Sequence, residues 1–202
     1  MAPKPHARPA TYAELERLPE HLVGELLGGE LVVSPRPAPA HARAASILGA
    51  ELTGPFDRKP GEPGGPGGWW LLDEPELHLQ GDVVVPDLAG WRRARMPRLP
   101  KGPAFELAPD WACEVISPST ARFDRSRKLP IYAREQVAHV WLIDPLARTL
   151  EVFRLEAGRY VLLETFGEQA PERVHAEPFE TYGLELGRLW LEPDPEDANR
   201  TG

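Results

Sequence analysis

The sequence predicts a mixed α/β domain with a central sheet flanked by helices, and two observations support this fold class. The segments follow the order helix, strand cluster, helix and further strands, which differs from a regular strand–helix alternation. In addition, 42% of the 202 residues are hydrophobic. This proportion is enough for one packed core and excludes a wholly disordered chain.

The N-terminal part is expected to hold a short helix, a hairpin and a longer helix. Thr11 followed by Glu14 is a capping-box pattern, so a short helix begins there. Two apolar runs around the glycine pair 28–29 indicate a β-hairpin. The next segment, PAHARAASILGAELTG, has apolar residues at helical spacing and predicts a helix that ends at Gly54 and Pro55.

The rest of the chain is predicted to form strands with one intervening helix. A proline- and glycine-rich connector precedes three strand-like segments, WWLLDEPELHLQ, GDVVVPDLAGW and DWACEVISPS. The segment RFDRSRKLPIYAREQ then predicts a helix with Pro130 near its start. HVWLIDP follows as a strand, and TLEVFRLEAGRYVLLETF as a hairpin that turns at residues 156–158.

The distribution of charge bears on nucleic-acid binding. The net charge of −8 argues against a surface coated in basic residues, although local basic patches are sufficient to contact a phosphate backbone. A solvated loop is the commoner explanation for any one such run, but two of them directly follow candidate strands. The candidate nucleic-acid contacts in these two runs are Arg92, Arg93, Arg95, Arg125 and Arg127.

Hydropathy and cysteine content bear on location and chain organisation. No apolar run approaches the roughly 20 residues that span a bilayer, and MAPKPHARPA lacks the apolar core of a secretory signal. We therefore expect a cytoplasmic protein without membrane association. Its single cysteine, Cys113, excludes a cysteine metal cage. We expect a flexible segment at residues 1–10, a single domain at 11–191 and a polar tail at 192–202.

Two acidic residues interrupt apolar strand-like runs. Glu114 lies within WACEVISPST, and Asp87 follows Pro86 in VVVPDLAGW. A carboxylate buried alone is costly, so each needs a partner, a proton or a metal ion, although Asp87 alone would also suit a turn. If the two strands are neighbours, the carboxylates either share a proton or hold a hard cation such as Mg²⁺ or Mn²⁺. Metal binding fits better, because oxygen ligands dominate and no histidine–cysteine set offers a zinc site.

Two basic side chains extend this candidate site. Lys128 lies on the predicted helix after the Glu114 strand, where it would position or deprotonate a water or neutralise charge on a phosphate. A solvated helical lysine is the alternative interpretation. His41 lies at the start of the first long helix, where it either points toward the cleft or only occupies a helix end. Asp, Glu and Lys around a metal suit phosphodiester hydrolysis.

Three blocks of the sequence resemble a known family. VVVPDLAGW, WACEVISPST and DRSRKLPIYAREQVAHVWLIDP are similar, in this order, to the core blocks of the Uma-type putative restriction endonucleases. This family was long labelled a domain of unknown function and belongs to the PD-(D/E)xK nuclease superfamily. The resemblance runs from about Tyr12 to about Phe166. It implies a restriction-endonuclease-like core with an extra N-terminal hairpin, and a metal-dependent nuclease activity.

The resemblance also implies roles for individual residues. Asp87 matches the aspartate of the family's Pro-Asp motif, and Glu114 matches its glutamate on the next core strand. The wider superfamily places a lysine two residues after that glutamate, where this chain has Ile116. As in Uma-type proteins, the lysine role would pass to Lys128. Glu25 matches an acidic position in the opening hairpin and is a candidate metal ligand or supporting group.

The main hypothesis is an endonuclease that hydrolyses DNA with Mg²⁺ or Mn²⁺ as cofactor. Asp87 and Glu114 would hold the metal, and Lys128 would assist the attacking water. The alternative is a nuclease fold whose site has decayed and which serves as a DNA-binding or protein-interaction module. A homodimer is expected with either hypothesis, because apolar, tryptophan-bearing segments remain near the C-terminus.

Overall fold

The computed structural model describes residues 8–19, 21–118 and 120–192. Most of the predicted flexible segment and nearly all of the predicted polar tail lie outside these residues. Within them the strands are β1 (Leu22–Leu27), β2 (Glu30–Pro35), β3 (Trp69–Asp73), β4 (Glu76–Leu79), β5 (Asp82–Val84), β6 (Leu88–Arg92), β7 (Ala104–Phe105), β8 (Trp111–Val115), β9 (His139–Asp144), β10 (Thr149–Glu156) and β11 (Arg159–Phe166). The helices are α1 (Tyr12–Leu15), α2 (Pro39–Phe56), α3 (Ala121–Phe123) and α4 (Leu129–Arg134), with a π-helical turn at Asp124–Lys128 and a 3₁₀ turn at Leu186–Leu189.

The larger sheet confirms the predicted fold class. It has six strands in the order β11-β10-β9-β8-β6-β3. Strands β8 and β9 run parallel and the other neighbours run antiparallel, so the sheet is mixed. A parallel pair needs a crossover connection, and α3, the π-helical turn and α4 supply it between β8 and β9. All five residues of β8 are buried, as a central strand requires.

A second sheet of five strands, in the order β2-β1-β5-β4-β7, contains the N-terminal hairpin. Its presence changes the strand prediction, because the first two strand-like segments each divide between the two sheets. The chain passes from the larger sheet to the smaller one at Pro75 and returns at Pro86. Proline lacks the N–H that a ladder needs, so both positions favour the end of a strand. The predicted hairpin forms as β1 and β2, and β1 also pairs with β5.

Helices cover both faces of the six-stranded sheet. On one face, α2 packs Leu48 and Leu52 into a core cluster around Phe179. On the other face, α4 contributes Ile131 and Tyr132 to a second cluster. The ring of Phe179 lies 4.7–5.7 Å, between centroids, from the rings of Phe56, Trp69, Trp111 and Trp141. Burying aromatic rings in such contacts contributes strongly to stability.

Helix α2 ends later than predicted, whereas the C-terminal hairpin forms as predicted. The predicted end of α2 at Gly54 and Pro55 is wrong, because the helix continues to Phe56 with Pro55 inside its last turn. Phe56 is buried against Phe179, and this packing outweighs the backbone hydrogen bond that Pro55 removes. The C-terminal hairpin forms as predicted from β10 and β11. No helix among the described residues has the length and apolar composition needed to cross a membrane.

Candidate active site

The two acidic residues that interrupt the apolar runs lie at the same end of two neighbouring strands. Strands β6 and β8 are antiparallel, with Leu88 opposite Cys113. Asp87 directly precedes Leu88 and Glu114 directly follows Cys113, so the two acids are neighbours at the point where the β6–β8 pairing ends. Both line the same cavity. Both residues therefore belong to one cavity, and their joint binding of a metal ion stays a prediction.

Asp87 is fixed by one backbone and one side-chain contact. Its Oδ2 accepts a hydrogen bond of 2.6 Å from the backbone N–H of Val115. Its Oδ1 lies 3.2 Å from Nε2 of His41, which points into the cavity from the first turn of α2. Burial acts to lower the pKa of His41, but the hydrogen bond and the charge of Asp87 outweigh burial and raise it. The pair thus joins the start of α2 to the sheet.

Lys128 reaches the carboxylates from the helical crossover after β8. Its Nζ donates to Oε2 of Glu114 at 2.9 Å and lies 3.1 Å from Oε1 of Glu25. The π-helical turn that ends at Lys128 also brings Oδ1 of Asp124 within 3.5 Å of Nζ. Single π-helical turns occur often at functional sites. Here the turn sets one lysine among three carboxylates.

We call Lys128, Glu25, Glu114 and Asp124 the acid–lysine cluster. Each of the four residues is at most 6% exposed. Burial acts to lower the pKa of Lys128, but the attraction of the three carboxylates outweighs burial, and the pKa lies well above its ordinary value. Burial raises the pKa of Glu114 well above its usual range, against the attraction of Lys128. The carboxylates around Lys128 therefore favour its charged form.

Glu25 connects the hairpin to this cluster. Besides its contact with Lys128, its Oε1 accepts a 2.8 Å hydrogen bond from the backbone N–H of Val85, in the segment between β5 and β6. The carbonyl of Val85 in turn lies 3.4 Å from Nζ of Lys128. Glu25 is therefore held in place by the backbone of Val85, where the chain leaves the smaller sheet. Its contacts are those of a supporting group, while its role as a metal ligand stays a prediction.

Tyr132 holds the second oxygen of Glu114. Its hydroxyl donates to Oε1 at 2.5 Å, and the side chain is fully buried on α4. Both oxygens of Glu114 therefore have a donor from the helical crossover, Tyr132 on one and Lys128 on the other. Two such donors restrict the rotation of the carboxylate and fix its orientation toward the cavity.

Replacing Tyr132 with phenylalanine is expected to lower the free energy of unfolding by about 1–3 kcal/mol, because a buried carboxylate loses a donor. Urea denaturation measures the change. Tyr160→Phe is the matched control, since its hydroxyl donates at 2.7 Å to the neutral carbonyl of Val137. Hydrogen bonds to charged groups are stronger than neutral ones. An equal or larger loss in Tyr160→Phe would contradict this account of Tyr132.

A cavity of about 320 Å³ opens above Asp87 and Glu114. Its walls come from the hairpin, the start of α2 and the segment after β8. Arg36 and Glu74 also line it, and Glu74 has a left-handed backbone with φ of 44°. A non-glycine residue with such a backbone is strained, and strain of this kind occurs often near functional sites. The volume is within the range of small-ligand sites.

The donor set at the base of the cavity suits a hard divalent cation. Mg²⁺ is usually bound by one or two carboxylates, with water and phosphate oxygens completing its shell. Asp87 and Glu114 provide two carboxylates that line one cavity. Among the described residues, no group of three or more His, Cys, Asp or Glu side chains is arranged to hold a metal ion. Asp87 and Glu114 are therefore the residues that would supply the protein part of such a shell.

The predicted nucleic-acid contacts of the first basic run are bound within the protein. The guanidinium of Arg92 lies over the ring of Trp69, and that of Arg93 pairs with Asp57 at 2.6 Å. Asp87 precedes β6 and Arg92 ends it, so the two are about 16 Å apart along the strand, at 3.3 Å per residue. This run therefore begins at the far end of β6 from the cavity.

The remaining predicted contacts also have acidic partners. They are the ion pairs Arg95–Asp110 at 2.9 Å, Arg125–Glu151 at 2.5 Å and Arg127–Glu30 at 2.8 Å. These pairs are partly exposed, so each contributes little to stability. The binding of nucleic acid by these arginines stays a prediction.

Sequence reasoning missed Asp124 and gave Tyr132 no part in the site. Asp124 lies in a run that was noted only for its basic residues. A signal was present, because Asp124 and Lys128 are four positions apart and share one side of a helical segment. Tyr132 is also four positions from Lys128, and this spacing would have suggested that the two side chains point the same way. No comparable signal marks Arg36 or Glu74, which reach the cavity only through the tertiary fold.

Comparison with known proteins supplies the family. The family model for Uma2, described as a putative restriction endonuclease, matches residues 9–188. The chain belongs to the Uma2 family. This membership confirms the resemblance in the sequence blocks and supports a nuclease function in general terms. No curated protein is significantly similar to this Uma2 chain.

A solved structure confirms the fold of this Uma2 protein. A putative nuclease belonging to DUF820 from Anabaena variabilis ATCC 29413 superimposes with a TM-score of 0.69 and 23% sequence identity. The match covers 90% of this chain and 97% of the other. At this identity the likeness establishes a common fold, and it extends over nearly the whole of both chains.

Proposed function

We propose that this Uma2 protein is a divalent-metal-dependent endonuclease that hydrolyses phosphodiester bonds in DNA. The observation that carries the proposal is that Asp87, directly before β6, and Glu114, on the neighbouring strand β8, line one cavity. Membership of a family described as a putative restriction endonuclease supports the same reaction class.

The metal would be Mg²⁺ or Mn²⁺, with Asp87 and Glu114 as its protein ligands. When bound, such an ion would polarise the scissile phosphate and activate a water as the nucleophile. The chain's own residues prepare the ligands for this task. The N–H of Val115 and the ring of His41 fix Asp87, while Tyr132 and Lys128 fix Glu114. Because all four contacts come from rigid elements, little reorganisation is needed for binding.

Lys128 would act through its charge. Because its Nζ contacts Glu114 and Glu25, the ammonium is held at the base of the cavity, where negative charge develops on the phosphate. The neighbouring carboxylates favour its charged form, so it would orient the attacking water or stabilise charge on the phosphate. Asp124 would act as a positioning residue for Lys128.

Phosphate contacts near the scissile bond would come from Arg36 as well as from the predicted arginines. Arg36 lines the cavity itself, whereas Arg125 and Arg127 flank Lys128 on the outer side of the crossover. A backbone phosphate would exchange with Glu151 and Glu30, the carboxylates that pair with these two arginines. Such binding weakens as salt concentration rises.

The test is strand cleavage by the purified protein with Mg²⁺ or Mn²⁺, measured beside Asp87→Asn. Double-stranded DNA, single-stranded DNA and RNA are each supplied as substrates, and EDTA serves as the metal-free control. We expect cleavage of DNA that EDTA abolishes and that Asp87→Asn lowers by about 10²-fold, because a ligand is lost. If neither protein cuts any substrate, or if both cut equally, the catalytic proposal is wrong.

The alternative of a decayed nuclease fold makes a different prediction for the same samples. A decayed site would bind DNA in a shift assay and leave it intact under every metal condition. The position of Ile116, where the superfamily has its lysine, favours this alternative. The contact between Lys128 and Glu114 favours an intact site, because the helical lysine reaches the glutamate directly.

A further inference from the structure

The acids that are proposed to hold the metal ion lie in a recess. Glu114 is 2% exposed and Lys128 is 5% exposed, and both line the same cavity as Asp87. Because Mg²⁺ binds oxygen at about 2.1 Å, an ion held by both Asp87 and Glu114 would lie inside this cavity. A phosphate that contacts such an ion therefore has to enter the cavity. A DNA duplex is stiff over many base pairs, so its convex backbone does not bend into a recess of this size.

The mouth of the cavity is apolar. Pro35 ends β2, Pro37 precedes α2, and Pro118 lies in the segment after β8. We call these three exposed residues the proline rim. Each proline has a fixed φ, so the shape of the rim changes little. A paired strand offers a protein mainly phosphates and sugars, which are usually bound by polar and basic groups. An apolar rim around a polar floor instead suits a ligand with a phosphate at one end and an apolar ring face at the other.

The charges of the cavity favour one phosphate over a row of phosphates. The described lining residues include two basic side chains, Arg36 and Lys128, and four acidic ones, Glu74, Asp87, Glu114 and Asp124. None of the five predicted nucleic-acid-binding arginines is among them. A protein that binds duplex DNA neutralises several phosphates at once. Here a divalent ion at the floor would compensate the excess of acids and attract a single phosphate.

We propose that this cavity receives one unpaired nucleotide, and that this Uma2 protein therefore acts on unpaired DNA strands and not on intact duplex. The phosphate lies at the floor beside Asp87 and Glu114, and the nucleobase packs against the proline rim. A volume of about 320 Å³ is near the lower end of small-ligand sites and suits one nucleotide better than a base pair. The choice of strand for cleavage rests on the proposed nuclease function, whereas nucleotide binding does not require that the reaction occurs.

Calorimetric titration of the full chain with deoxythymidine monophosphate in the presence of Mn²⁺ tests the binding. This nucleotide has no phosphodiester bond, so nothing is hydrolysed during the titration. We expect it to bind at least about tenfold more tightly than deoxyribose phosphate, which lacks the nucleobase, because packing the nucleobase against the rim buries apolar surface. Equal affinities for the two ligands, or binding of neither, would overturn the proposal.

Variants of the proline rim show whether the nucleobase lies there. Pro35→Ser/Pro37→Ser is expected to weaken the binding of the nucleotide about fivefold and to leave the binding of deoxyribose phosphate unchanged, because only the nucleobase contacts the rim. Pro63→Ser is the matched control, since Pro63 is exposed and lies outside the cavity. Far-UV circular dichroism verifies that each variant is folded. An equal loss for both ligands contradicts the placement of the nucleobase.

A DNA duplex with a central stretch of unpaired nucleotides tests the choice of strand within one molecule. With Mn²⁺, we expect initial cleavage at the unpaired positions to be at least about 100-fold faster than at paired positions away from the ends, because a paired nucleotide must first be drawn out of its stack. Equal rates overturn this inference and leave the proposed nuclease function standing. If no substrate is cut while the nucleotide binds with the expected preference, the proposed function is wrong and the nucleotide cavity is supported.

Discussion

Replacing Lys128 with methionine is expected to lower the free energy of unfolding by about 3–5 kcal/mol. Methionine keeps an unbranched apolar stem but removes the ammonium that contacts Glu25, Glu114 and Asp124 within 3.5 Å. The three acids would then be buried without a positive partner, and a buried charge without compensation is strongly destabilising. Urea denaturation at pH 7 measures the loss.

Two further variants show whether the loss belongs to the acid–lysine cluster. Lys101→Met changes an exposed lysine and should alter stability by no more than about 0.5 kcal/mol. Adding Glu114→Gln to Lys128→Met removes one uncompensated acid and should recover part of the loss, which gives a coupling energy between the two positions. If Lys128→Met is as stable as wild type, Lys128 does not compensate the charges of the three buried acids.

Replacing Glu114 with glutamine is expected to abolish the binding of Mn²⁺ and to lower the rate of DNA cleavage by about 10³-fold. Glutamine has the same size but carries no charge and has only one oxygen. It would keep a contact with either Tyr132 or Lys128 and lose its value as a ligand for a hard cation. Titration calorimetry with Mn²⁺ and initial cleavage rates are the two measurements.

The calorimetric result is informative even if no nuclease substrate is found. Glu172→Gln is the control, because Glu172 is exposed and far along the chain from the residues that line the cavity. This variant should bind Mn²⁺ as wild type does. An unchanged affinity for Mn²⁺ in Glu114→Gln would remove Glu114 from the proposed ligand set. Loss of binding together with unaltered cleavage would instead separate the metal site from the reaction.

Much of the fold could be predicted because its signals are local. The glycine pair 28–29 indicated the first hairpin, and residues 156–158 indicated the last one. The predicted convergence of Asp87 and Glu114 followed from their positions in two successive apolar runs. The position of Lys128 on the helix after the Glu114 strand suggested its role, and the family resemblance supported it, although spacing alone could not distinguish Lys128 from a solvated helical lysine.

The parts that the sequence could not predict depend on tertiary contacts. The division of two strand-like segments between two sheets is decided by pairing partners, β1 for β5 and β8 for β6, that lie far away in the chain. The partners of Arg93 and Arg127 are likewise distant, at Asp57 and Glu30. A basic run on its own gives no information about which of its charges are neutralised within the folded protein.

The hydrogen bond from Val85 to Glu25 has a consequence for how this protein tolerates shortening. The N-terminal hairpin supplies Glu25 to the acid–lysine cluster, so a chain that begins after residue 38 would lose one of the three acids that contact Lys128. Lys128 would keep two carboxylate neighbours and would gain contact with solvent where the hairpin had been. The exposed tip of the connector, at residues 61–63, does not line the cavity and is the more permissive place for natural variation in length.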